Sequence, residues 1–138
     1  MVLQFPNSQY AEGATHLSGQ ASLMMRDYEK AIAKFDELRV NFPDKSGLAA
    51  EAAYKSSFCL KLLGQDDEAL RRYEQFVMNY PNSPYIPATY FDMGTIFEKQ
   101  GDTDRAIENY RLALQHAKDP ALQAEIQGLI DRISAPRK

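Results

Sequence analysis

Cysteine occurs once and histidine twice in this chain of 138 residues. A lone thiol, Cys59, closes no internal disulfide and builds no thiolate metal cluster. His16 and His116 sit near opposite ends of the chain, which makes them poor partners for one catalytic site. No apolar run approaches the roughly 18 residues that a membrane-crossing helix needs. The N-terminus also lacks the basic-then-apolar order of a secretion signal. Positive charge is not in excess: 16 Lys and Arg stand against 19 Asp and Glu, a net charge of −3. The basic residues are scattered among acidic ones, which argues against the stripe of a general nucleic-acid binder and the basic face of a membrane-surface helix. Glycines form no phosphate-cradling loop, and Gly64 and Gly101 read as turns. The composition that remains, 44% hydrophobic and 25% charged, is that of a globular domain long enough to bury a core.

A short phrase recurs three times: Phe5-Pro6-Asn7-Ser8, Phe42-Pro43-Asp44-Lys45-Ser46 and Tyr80-Pro81-Asn82-Ser83. Its prolines are 37 and then 38 residues apart, yet each serine lies 23 residues before an alanine: Ala31, Ala69 and Ala106. A unit of fixed length with slack only in its junction is what stacked repeats require. Downstream of those alanines, Ile32, Phe35, Leu38 and Phe42 align with Leu70, Tyr73, Phe76 and Tyr80, and with Ile107, Tyr110, Ala113 and Ala117. Each set makes one helical stripe. Asp27, Asp66 and Asp102 mark the starts of these second helices, where a carboxylate meets the positive end of the dipole. In the first helices Gly19, Ser57 and Gly94 occupy the crossing position. Ala21, Cys59 and Ile96 follow, and then Ser22, Leu60 and Phe97. Ser83 is expected to cap the third unit's first helix, with Pro84 in its first turn. After Ala117, Asp119 caps a last helix and Pro120 opens it. Its stripe of Leu122, Ile126, Leu129, Ile130 and Ile133 covers the final hairpin. Residues from Ser134 onward read as a frayed tail.

These residues resemble the tetratricopeptide repeat family. Gly94, Phe97, Gly101, Ala106 and Tyr110 match its pattern of small residue, aromatic, turn glycine, alanine and aromatic. Ser57, Leu60, Gly64, Ala69 and Tyr73 match it in the middle unit, whereas the first unit has Arg26 for the turn glycine and Ser22 for the aromatic. The usual period is about 34 residues, and three to four are added here, about one helical turn. The lengthened unit and its Tyr-Pro-Asn-Ser-Pro-Tyr junction are similar to bacterial cell-envelope members, the outer-membrane assembly lipoproteins and the C-terminal domain of the Tol-Pal cell-division coordinator. The resemblance implies an all-α, TPR-like superhelix, a right-handed solenoid of three hairpins (8–42, 46–80 and 83–117) and a capping helix (119–133). One repeat domain then spans 1–138. Because only four residues precede Phe5-Pro6, which aligns with the end of a second helix, the chain reads as a fragment of a longer array.

The face of each first helix turned away from its partner carries Gly13, His16, Gln20 and Leu23, then Glu51, Tyr54, Phe58 and Lys61, then Ala88, Phe91, Thr95 and Glu98. Of these, His16, Gln20, Glu51, Tyr54, Phe58, Lys61, Phe91, Thr95 and Glu98 are the candidate partner-binding residues of a concave side. The aromatics among them form an apolar patch flanked by polar groups; the alternative is that they pack between adjacent repeats or under the terminal helix. Members that clamp a terminal carboxylate use lysine and asparagine in the groove, where this chain has His16, Gln20, Ala88 and Asp92. Glu51 and Glu98 would repel such a ligand. Asp66-Asp67 and Asp102-Asp104 read as helix starts rather than as a catalytic or metal-binding pair, and Cys59 as a buried, inert thiol. The expectation is a non-catalytic scaffold for a protein or peptide partner, with no cofactor, metal, nucleic acid or membrane insertion of this segment. Its setting would be periplasmic or outer-membrane-associated, with the cytoplasm as the alternative. The competing function is self-association, a homodimer through the N-terminal edge.

Overall fold

The computed structural model describes residues 9–41 and 47–135. The phrases at Phe5–Ser8 and Phe42–Ser46, and the tail beyond Ala135, lie outside the described residues. Among those described there are seven helices and no strand: α1 (Gln9–Met24), α2 (Tyr28–Asn41), α3 (Leu48–Leu62), α4 (Asp66–Asn79), α5 (Ile86–Lys99), α6 (Thr103–His116) and α7 (Pro120–Ser134). They fall into two compact units, residues 1–72 and 73–138, with the division inside α4.

In the first unit, Ala31, Phe35 and Leu38 of α2 and Ala52 and Cys59 of α3 are fully buried together. Ala11, Leu23, Tyr28, Ile32 and Leu48 pack around them. Leu23 is therefore part of the core rather than of an outward row. Gly19 is where α1 crosses α2: a Cβ there would lie 2.7 Å from the Phe35 ring. Ala21 departs from its counterparts. Cys59 and Ile96 are buried, but Ala21 is exposed. The helix surface that α3 lays against α2 is met in α1 by no described neighbour.

The turns that close α1, α3 and α5 share one geometry. Arg26, Gly64 and Gly101 adopt the left-handed conformation with φ of 63°, 81° and 82°. The next amide in each turn, of Asp27, Gln65 and Asp102, donates to the carbonyl five residues back, of Ser22, Leu60 and Phe97. This is the Schellman closure, which satisfies carbonyls that a helix end leaves open. Asp27 and Asp102 then cap the next helix through their carboxylates, to Lys30 N at 3.3 Å and Arg105 N at 3.2 Å.

In the second unit Tyr73 and Phe76 of α4, Met93, Ile96 and Phe97 of α5, and Ala106, Tyr110 and Ala113 of α6 are buried. Gly94 provides the crossing: a Cβ there would lie 2.6 Å from Tyr110. Helix α7 packs on α6 and buries Ile126 and Ile130. Asp119 accepts the Ala121 amide at 3.0 Å and Pro120 takes the first position, as the sequence predicts. The start of α5 differs from expectation. The helix begins at Ile86 behind Tyr85, and Ser83 Oγ accepts the Tyr85 amide at 3.1 Å instead of capping a helix. A helix opening at Pro84 would put Pro87 where the first intrahelical N–H is needed, and proline has none. Starting two residues later places Pro87 in the first turn, where the loss costs nothing.

Candidate functional site

The predicted binding residues form two groups, one in each unit. In the first unit the outward faces of α1 and α3 meet through polar side chains. The Glu51 carboxylate accepts from His16 Nε2 at 2.8 Å and from Lys55 Nζ at 2.7 Å. Lys55 also donates to Gln20 Oε1 at 2.6 Å. Burial pushes the Glu51 carboxyl up, but hydrogen bonds from Lys55 and His16 outweigh it and hold the group below its ordinary value. His16, Gln20 and Glu51 are thus knotted together by Lys55, a residue absent from the predicted set.

One turn further along α3 the character changes. Tyr54 and Phe58 stack with ring centroids 6.2 Å apart and planes 19° from parallel. The Lys61 ammonium lies 5.6 Å from the Phe58 ring centre, within cation–π range. Both rings are half-buried. They present an aromatic strip next to a charge cluster whose members satisfy one another.

In the second unit Phe91, half-buried, tilts against Tyr110 at 5.7 Å and 46°. Thr95 is turned onto its own helix, its hydroxyl donating to the Asp92 carbonyl at 2.7 Å. Glu98 is held on both sides: Oε1 accepts the Tyr110 hydroxyl at 2.7 Å and Oε2 accepts from Arg132 of α7 at 3.1 Å. Burial and the neighbouring Glu98 together push the Tyr110 phenol well above its ordinary value. Glu98 therefore acts as a tie between α5, α6 and α7 more than as a free repelling charge. Asp92, read from the sequence as a groove position, is instead a buried carboxylate that accepts from Tyr73 at 2.9 Å, a role sequence reasoning did not assign. The signal was there: an aspartate amid apolar positions needs a donor, and an aromatic hydroxyl on the facing helix is one.

Convergent reactive chemistry does not emerge from these groups. The Cys59 thiol is buried and pushed up to about 11 by that burial, so it stays protonated and unreactive near neutrality. Among the described residues no three His, Cys, Asp or Glu side chains are placed to hold a metal ion. No helix among them is long and apolar enough to cross a membrane.

Comparison with known proteins agrees with the repeat geometry. One tetratricopeptide-repeat family model matches residues 16–45 and again 51–83, and a second matches 89–124. Together they take in more than two thirds of the chain. It belongs to the tetratricopeptide repeat family. A solved structure, PcrH from Pseudomonas aeruginosa, superposes with a TM-score of 0.79 at 20% identity, covering 93% of this chain and 95% of that one. At that identity the likeness establishes the TPR-like all-α fold. Within the family's pattern, Gly94, Phe97, Gly101, Ala106 and Tyr110 take up the crossing, packing and turn positions described above.

Proposed function

We propose that this tetratricopeptide repeat protein is a non-catalytic scaffold that binds a protein or peptide partner along the outward faces of its first helices. The observation that carries this reading is the half-buried Tyr54–Phe58 stack beside a carboxylate already paired with His16 and Lys55. Such a surface offers apolar contact area without an uncompensated charge, which suits a peptide with apolar anchors. The test is selection of short helical and extended peptides from a displayed library. Binders with apolar anchors, lost when Tyr54 and Phe58 are both changed to alanine, support the reading. A library that yields no binders, or binders indifferent to both changes, sinks it.

The bacterial envelope is the setting we infer, on the strength of the lengthened repeat and its Tyr80-Pro81-Asn82-Ser83-Pro84-Tyr85 junction. Cell fractionation tests it: recovery in the periplasm or with the outer membrane supports this placement, and recovery in the cytosol rejects it. A second reading, self-association, is favoured by one observation. Helix α1 exposes Leu17 and Met24 at 68% and 84% of their full surface, and Met25 in the turn that follows is exposed at 79%.

A further inference from the structure

The methionines among the described residues divide by exposure. Met93 of α5 is buried at 5%, whereas Met24, Met25 and Met78 are open at 84%, 79% and 80%. Met78 belongs to the second unit. Met24 and Met25 stand together where α1 ends and its closing turn begins. Met24 is also the last member of an exposed stripe. Ala14, Leu17, Ala21 and Met24 follow one another at intervals of three, four and three residues, which keeps them on one line of the helix. Leu17 and Met24 are its two large side chains. Glu12, the one carboxylate of α1, is buried, so the stripe itself carries no charge.

A thioether makes an adaptable apolar contact, but one that oxidation converts into a polar group. We propose that Met24, with Met25 beside it, is an oxidation site that switches off the contact between the α1 faces of two copies of this chain. The proposal rests on the self-association reading and adds the regulation of that surface. The reagent is a hydroperoxide. The Met24 sulfur attacks its terminal oxygen: an S–O bond forms, the O–O bond breaks, and the terminal proton passes to the departing oxygen. Sulfur loses two electrons, and the hydroperoxide leaves as an alcohol or as water. A two-fold contact would then bury one sulfoxide from each copy. The side chains of Ala14, Leu17 and Ala21 offer it no hydrogen-bond donor, so the contact is lost.

The experiment is sedimentation of the full chain at high concentration, before and after mild hydrogen peroxide, with oxidation mapped by peptide mass spectrometry. Met24 and Met25 are expected to oxidise more than about tenfold faster than Met93, in keeping with their exposure. The dissociation constant of the dimer is expected to rise about tenfold or more, as for a buried polar group left unpaired, and to recover after treatment with methionine sulfoxide reductases. Met24→Leu with Met25→Leu keeps the stripe apolar. That variant should associate like the parent and ignore peroxide even while Met78 is oxidised. A parent dimer indifferent to peroxide, slow oxidation of Met24, or a leucine variant that still dissociates would each overturn the switch alone. A chain that never associates, even untreated, removes the self-association reading and the switch with it.

Discussion

Arg26 holds the left-handed turn at φ 63° where the two matching turns have glycine. A side chain in that region crowds the following carbonyl, at about 1–2 kcal/mol. Glycine removes the crowding but loses more freedom on folding, so the net gain is smaller. Arg26→Gly is therefore expected to stabilise the protein by about 0.5–1 kcal/mol in urea unfolding; the side chain is exposed and contributes little packing. A loss of stability instead would show that Arg26 makes contacts worth more than the turn strain. Gly94 presents the opposite case. A Cβ there already falls 2.6 Å from the Tyr110 ring, and that ring is anchored through its hydroxyl to Glu98. Gly94→Leu should overpack the α5–α6 crossing and cost about 1–3 kcal/mol. Gly94→Ala should cost less, because only one carbon must be accommodated. Thermal melts of the two variants check the order, and an undisturbed melting temperature for the leucine variant would contradict the crossing geometry.

At the scale of the element, α1 and α3 are joined through Glu51. Its folded-state value lies below the ordinary 4.5, because Lys55 and His16 favour the ionised form more than burial disfavours it. A depressed carboxylate contributes stability that is complete above the unfolded value and fades as pH falls through the folded one. The parent should accordingly exceed Glu51→Gln by about 1–2 kcal/mol near neutrality, with the gap closing as pH falls below the ordinary 4.5. Unfolding curves across that range check this, and a gap that widens in acid would reverse the assignment. Much of this level was legible beforehand. Ala31, Ala69 and Ala106, found by spacing alone, are all fully buried, because a helix has one period and a core has one side. The Glu51–Lys55–Gln20 knot was not legible. It joins residues on helices whose relative roll no single periodicity fixes. The misplaced start of α5 is different in kind, since Pro87 already carried the information and a strong Ser-Pro signal upstream overrode it. The exposure of Ala21 follows from α1 having no described helix beside that surface, a property of the neighbourhood rather than of the residue.

For the whole molecule, the question is what the outer face of α1 does. Ala14 and Ala21 are exposed along with Leu17 and Met24, and α1 carries no lysine or arginine. A face without charge meets a copy of itself without like-charge repulsion, the condition a two-fold symmetric contact must satisfy. Its extent sets the strength. A stripe of this length exposes on the order of a few hundred Å², against about 800 Å² per partner in a stable complex. The expected outcome is a weak, reversible dimer, visible by sedimentation at high protein concentration and gone on dilution. Leu17→Glu together with Met24→Glu should abolish it, because pairing the faces would then bring four carboxylates together in an apolar contact. Tyr54→Ala with Phe58→Ala should leave it intact, since those rings lie on α3 and serve the partner-binding reading instead. Dimers that survive the glutamates would place the contact elsewhere. Dimers that vanish with the α3 alanines would merge the two readings into one surface, and the scaffold would then have its own copy as ligand.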